Sequence, residues 1–256
     1  MLEARGLTKA FSRIPAVRDV NFRVEPGQVL GYLGPNGSGK STTVRMIAGL
    51  LEPTSGEVLF RGASIRTSLV SYKRSLGYVP EEAFLYPHLT GLEYLDLVGT
   101  LRELNERVLA ARIERFLHLF SLTHARHSPV ASYSKGMRQR LLISAALLHD
   151  PELLVFDEPE SGLDVGTALV FRKLVSGLAL EGKMILYCSH VLEVIEKVCS
   201  HVLVLHRGSV VAHESIEGMR RLTANPSLEA VFAELTQQSD SDAGARDLIG
   251  AMRLGA

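Results

Sequence analysis

The chain has 256 residues, 46% of them hydrophobic, and its 28 Lys+Arg against 28 Asp+Glu leave no net charge. That length buries a sizeable core in one large domain or two lobes, and the neutral balance gives no sign of a generally basic nucleic-acid-binding surface, leaving room only for local patches. Two cysteines without a disulfide pattern, no leader segment, and no apolar run near the roughly 18 residues of a spanning helix predict a reducing, cytoplasmic compartment, with any membrane crossing left to another chain.

Residues 2–33 read as β-rich. Val20, Phe22 and Val24 alternate with polar residues, Pro26-Gly27 makes a turn, and Val29–Leu33 is a buried strand. Phe11 follows Leu7-Thr8-Lys9 in what reads as an early loop. An aromatic there either stacks on a purine ring or covers the first hairpin. Next comes Gly34-Pro35-Asn36-Gly37-Ser38-Gly39-Lys40-Ser41-Thr42, placed between the strand and a segment with helical spacing at Val44, Ile47 and Ala48. Strand, glycine loop and helix are the context of a phosphate-binding P-loop. Glycines let successive N–H groups turn inward on an anion, and the helix start adds its positive dipole end. Lys40 is expected to reach the β- and γ-phosphates, and the Ser41 hydroxyl to bind Mg²⁺.

The P-loop helix ends at Gly49 and Pro53, and Ser55–Phe60 and Leu76–Val79 read as strands. From about 82 to 148 the pattern turns helical. Thr90 and Glu93 have capping-box spacing, Leu92, Leu95 and Leu101 supply apolar positions, and Ile113, Leu117 and Phe120 repeat the pattern on a second helix. A third helix follows Tyr133-Ser134-Lys135-Gly136-Met137-Arg138-Gln139-Arg140 and runs through Leu148. This stretch reads as a helical lobe inserted into an α/β core. Leu153–Phe156 is a buried strand ending in Asp157-Glu158-Pro159, a helix from Asp164 reaches about Leu180, and Met184–Cys188 is a strand ending in Ser189-His190. A helix over 191–199 and a strand over 201–205 follow. Strands alternating with helices imply a mostly parallel sheet, whose carboxyl edge carries the P-loop, Asp157 and His190, where ligands bind in open α/β sheets. Asp157 at a strand end can hold Mg²⁺, and Glu158 beside it can orient or deprotonate an attacking water. Near the end, 228–235 reads as an amphipathic helix and residues 237–256 as a flexible tail.

With these motifs in this order, the sequence resembles the ATP-binding subunit of ABC transporters over about residues 2–215. The P-loop at 34–42, Tyr133–Arg140 in the place of the family signature and Leu153–Glu158 as the second phosphate motif carry the resemblance. Ser161-Gly162-Leu163-Asp164 matches the loop linking two subunits, and His190 the switch histidine. The resemblance implies ATP and Mg²⁺ as ligands and a head-to-tail dimer closing over two ATP molecules. It further implies that Ser134 and Gly136 meet the γ-phosphate held by the partner's P-loop, and that His190 contacts the γ-phosphate and holds the water. Two departures stand out. Glu81 replaces the usual Gln of the loop facing the membrane partner; it can ligate Mg²⁺ but has no amide to donate. Lys135 and Met137 replace Gly and Gln of the general signature. Both departures resemble ATPases of bacterial exporters for drugs, antibiotics or polysaccharides with a separate permease chain, as does Ser227–Thr236. Phe84, Leu85, Tyr86 and Pro87 either line the groove that receives the permease or pack the helical lobe.

The expected fold is α/β: a P-loop NTPase core with a mostly parallel sheet, an N-terminal antiparallel β part and the inserted helical lobe, spanning 1–236. The expected activity is ATP hydrolysis powering transport, in the direction of export. Its expected partners are an integral membrane permease and a second ATPase subunit, identical or paired, without nucleic acid, at the cytoplasmic face of the membrane. The alternatives are a soluble ATPase of the same family acting on nucleic acid or ribosomes, and an importer ATPase.

Overall fold

The computed structural model describes residues 1–223 apart from Arg13 and Ala83, and also Phe232. β1 (Leu2–Phe11) and β2 (Ile14–Val24) pair antiparallel, and β4 (Ser55–Phe60) and the two-residue β5 (Ala63–Ser64) extend that sheet in the order β2-β1-β4-β5. The alternation read in the sequence is the one observed: Val20, Phe22 and Val24 are buried while the residues between them face out.

The second sheet has six strands in the order β10-β9-β3-β8-β7-β6. They are β3 (Val29–Leu33), β6 (Leu76–Val79), β7 (Leu153–Asp157), β8 (Met184–Cys188), β9 (His201–His206) and β10 (Ser209–Ser215). All pairs are parallel except β9–β10. Every residue of β3, β7 and β8 is buried, as expected for parallel strands covered on both faces. The pleat divides them between two cores. Leu154, Phe156, Ile185 and Tyr187 join the helical side, whereas Leu153, Val155, Leu186 and Cys188 join the side of the antiparallel sheet.

α1 (Lys40–Ile47) packs in the second of these cores through Val44, Met46 and Ile47. The helical side is made by α3 (Gly91–Leu101), α4 (Glu106–Leu119) and α5 (Lys135–Leu147). α3 starts in the expected capping box of Thr90 and Glu93. α5 is buried from Leu141 to Leu147, so it is a core helix with hardly any solvent face. α6 (Val165–Leu180) and α7 (Leu192–Val198) complete this layer, Asp164 capping α6 from just outside it.

Several elements differ from the sequence expectations. Phe11 is the last residue of β1 rather than part of a loop, because β1 runs on past three irregularities in its register with β2. α2 (Leu69–Arg74), β5, β10 and α8 (Ile216–Thr223) were not anticipated. The amphipathic segment 228–235 and the tail 237–256 lie outside the described residues, save Phe232, which is helical and packs against the helical-side core. No described helix is long and apolar enough to cross a membrane.

Candidate functional site

The parallel register lines up the carboxyl ends of the central strands. Asp157 stands opposite Cys188, Val79 opposite Phe156, and Tyr32 opposite Cys188. The loops leaving β3, β6, β7 and β8 therefore open at one edge of the sheet, and they carry the P-loop, Glu81, Asp157-Glu158 and Ser189-His190.

The P-loop is held by backbone bonds. Ser38 N–H donates to the Pro35 carbonyl at 3.1 Å, and Gly208 N–H donates to the Ser38 carbonyl at 2.9 Å. The crowding explains the glycines. A Cβ on Gly34 would lie 2.4 Å from the Leu205 carbonyl oxygen, and Gly39, at φ 103, would bring one 2.5 Å from the Ala16 carbonyl oxygen. Lys40 donates from Nζ to the carbonyls of Gly34 (2.5 Å) and Pro35 (3.1 Å), so its ammonium lies over the loop. Asn36 and Gly37 are exposed at the tip, and Ser41 and Thr42 are half-buried in the first turn of α1. The Ser38 hydroxyl is buried with no hydrogen-bond partner among the described residues. An orphaned buried hydroxyl in this glycine loop, beside Lys40 and the start of α1, fits an anionic phosphate chain.

Asp157 is buried, and its carboxyl is pushed up to about 6, by burial first and then by the negative charges of Glu81 and Glu158; Lys40 and Arg45 oppose the shift. The structure thus brings Glu81 within electrostatic reach of Asp157. Among the described residues no three His, Cys, Asp or Glu side chains gather into a metal centre. The oxygens expected to meet a metal are the Ser41 hydroxyl and the Asp157 and Glu81 carboxylates. These are few and hard oxygens, which suit Mg²⁺ held mainly by water and phosphate oxygens.

Glu158 donates from its N–H to the Cys188 carbonyl at 3.0 Å, tying the turn after β7 to β8. Its Oε1 is 2.8 Å from His190 Nδ1 and accepts from the His190 N–H at 2.8 Å, while Ser189 Oγ donates to Oε2 at 3.4 Å. The Glu158 side chain is 15% exposed and that of His190 71%, so the pair has an anchored member and an outward-facing one. Burial and the nearby carboxylates push the Cys188 thiol up, and both cysteines are free and buried, in keeping with core packing.

Ser134 caps α5, its hydroxyl accepting from Met137 N–H at 3.2 Å. Gly136 lies so close to the 161–164 loop that a Cβ would fall 2.6 Å from the Gly162 carbonyl oxygen. The Lys135 stem runs over Gly162 in turn. A cleft of about 540 Å³ lies beside them, lined by Glu81, Glu82, Leu85, Pro87, Lys135 and Arg138 among others. Leu85 packs against the core of the helical side, as one of the two expected roles has it, while Phe84 and Tyr86 are exposed. Phe11 is 51% exposed, with the Lys9 ammonium 5.5 Å from its ring centroid.

Some residues around this edge have no signal in the sequence. Gln139, buried in α5, donates from Nε2 to the Pro159 carbonyl at 2.9 Å. Glu160 accepts from Arg172 and from the Tyr187 hydroxyl. These partners are 12 to 27 residues apart, and no local spacing marks them.

Comparison with known proteins places these features in a family. The model of the ABC transporter family matches residues 17–161. The ABC transporter ATP-binding protein NatA of Bacillus subtilis is 37% identical over 220 residues, 86% of this chain and 89% of that protein. The linearmycin resistance ATP-binding protein LnrL of the same organism is 35% identical over 212 residues, 83% of this chain and 68% of that protein. Among solved structures, a dimeric ATP-binding cassette in a post-hydrolysis state with ADP and Pi superposes with a TM-score of 0.78 at 26% identity, over 84% of this chain and 99% of that one.

Proposed function

The chain belongs to the ABC transporter family of ATP-binding proteins and is an ATPase, and from that premise we propose that it hydrolyses ATP at the strand-end site to power export through a separate permease. The observation that carries the reading is the meeting, at one sheet edge, of the P-loop, the buried Asp157 and the Glu158–His190 pair.

In this reading the P-loop N–H groups and Lys40 hold the β- and γ-phosphates, with Lys40 exchanging the carbonyls of Gly34 and Pro35 for phosphate oxygens. Phe11 offers the ring face away from Lys9 to the adenine. Ser41, Asp157 and Glu81 hold Mg²⁺, which supplies charge neutralisation on the phosphate oxygens when bound. Glu158 orients or deprotonates the attacking water, and His190, fixed to Glu158, contacts the γ-phosphate from its exposed side. The chemistry is positioning and electrostatics, without a covalent intermediate.

Ser134 and Gly136 serve the ATP of a second copy: a capped helix start is an anion site, and the 161–164 loop seats it. The cleft beside them, with exposed Phe84 and Tyr86 at its rim, receives a cytoplasmic segment of the permease and holds the chain at the inner face of the membrane. Export is supported by the relative bearing a resistance name and by Glu81, Lys135 and Met137. The test is to purify the tagged chain from detergent-solubilised membranes and identify what accompanies it. A multi-spanning protein lost on Phe84→Ala/Tyr86→Ala supports the reading. A soluble or nucleic-acid partner in its place refutes it.

A further inference from the structure

Glu158 has φ 49. That left-handed conformation is uncommon for a non-glycine residue and persists where the surroundings over-determine it. Part of the constraint is local: Glu158 N–H is bonded to Cys188, and the Glu158 carbonyl accepts from Ser161 N–H at 3.1 Å. The rest lies two residues on. Glu160 takes Arg172 as a fork, with Nε at 2.9 Å from Oε1 and 3.1 Å from Oε2, and Nη2 at 2.7 Å from Oε2. Its Oε1 also accepts from the Tyr187 hydroxyl at 2.8 Å. Tyr187 is fully buried, edge-on to Phe156 of β7 and tilted against Phe171 of α6. From the other side Gln139 holds the Pro159 carbonyl. The turn 158–161 is thereby fastened to β8, α6 and α5.

A half-buried carboxylate and guanidinium, with side chains still 17% and 25% exposed, contribute little to stability, because solvent screens their attraction. What a two-pronged fork does provide is direction as well as distance. The strained residue and the fork are neighbours on one short turn.

We propose that Glu160, held by Arg172 and Tyr187, is a positioning residue for hydrolysis: it pins the turn after β7 so that Glu158 keeps its left-handed backbone and presents its carboxylate beside His190. This rests on the assignment of Glu158 to the attacking water, so Glu158→Gln is measured in parallel.

The experiment is steady-state ATPase activity of the purified full chain with Mg²⁺, alongside ATP affinity and melting temperature. Tyr187→Phe removes a single hydroxyl from an otherwise unchanged core; Glu160→Ala removes the fork. Release of strain of this kind corresponds to a loss in kcat of about tenfold to a hundredfold for Glu160→Ala and a smaller loss, about threefold to tenfold, for Tyr187→Phe. ATP affinity stays within about twofold in both, since neither residue belongs to the P-loop. Val175→Ala, buried in the same helix, is the control: it lowers the melting temperature and leaves kcat in place. The proposal is overturned if Tyr187→Phe and Glu160→Ala keep kcat within about twofold of the parent at a temperature where they are folded. It is equally overturned if Val175→Ala loses as much kcat at the same melting temperature. Turnover that survives Glu158→Gln refutes the assignment of Glu158; turnover lost there and unmoved by the other variants refutes the clamp alone.

Discussion

Asp157→Asn is expected to stabilise the metal-free protein while abolishing its turnover. The folded carboxyl holds its proton up to about 6 against an ordinary value of 3.8, because burial and the charges of Glu81 and Glu158 disfavour the anion. The folded state therefore binds more protons than the unfolded state in that window, and stability falls as pH rises through it. The gap between 3.8 and about 6, at about 1.4 kcal/mol per pH unit, makes the penalty about 3 kcal/mol above pH 7 and about half of that at pH 5. Asparagine has the same shape and no charge, so it escapes the penalty. Urea unfolding of parent and variant in EDTA, at pH 5, 6 and 7.5, measures the difference directly, and the melting temperature should rise by about 6–12 °C at pH 7.5. Adding Mg²⁺ and ATP should reverse the order, since only the parent retains the carboxylate. A variant no more stable than the parent in EDTA at pH 7.5, or one whose advantage does not grow with pH, would refute the electrostatic account.

Lys40→Ala should weaken ATP binding about tenfold to a hundredfold, the worth of charge-assisted bonds to phosphate; calorimetry in the presence of Mg²⁺ reads it, and unchanged affinity contradicts the P-loop assignment. Glu81→Gln removes an anion that bears on Asp157. It should therefore raise stability in EDTA and raise the Mg²⁺ concentration needed for half-maximal ATPase activity, and no change in either would make the replacement neutral. Phe11→Ala should lower ATP affinity about twofold to tenfold, with Phe11→Tyr close to the parent; an alanine variant that binds ATP normally but melts lower would assign the ring to packing alone.

The parallel core was legible because strands covered on both faces must be apolar at every position. β3, β8 and Leu153–Phe156 of β7 are such runs, closed by Gly34, Ser189 and Asp157 in turn. The same rule hid β10. It is an edge strand, paired on one side only, and has no fully buried residue, so its polar composition reads as loop. α2 was hidden by brevity. Of its six residues only Tyr72 is buried, and what locates it is a long-range bond from its hydroxyl to the Ile47 carbonyl at 2.6 Å. Phe11 was misplaced because β1 carries irregularities that interrupt the two-residue alternation before the strand ends.

For the site, chain order sufficed wherever a group projects from a strand end, because parallel register carries every such end to the same edge. It failed where a residue acts on another across the fold. The seven positions from Glu158 to Asp164 look like a connection between β7 and α6. In the structure their conformation is set by Gln139 on one side and by Arg172 and Tyr187 on the other. Glu160 in isolation would be taken for a solvated charge, since an acidic residue in a turn is most often that. Only the fork from Arg172, half-buried against it, turns it into a constraint. A carboxylate meant to aim a water cannot rely on a free turn, because each rotatable bond left loose multiplies the orientations in which the proton transfer fails. The strand end supplies the position of Glu158, and the half-buried fork two residues away supplies its direction.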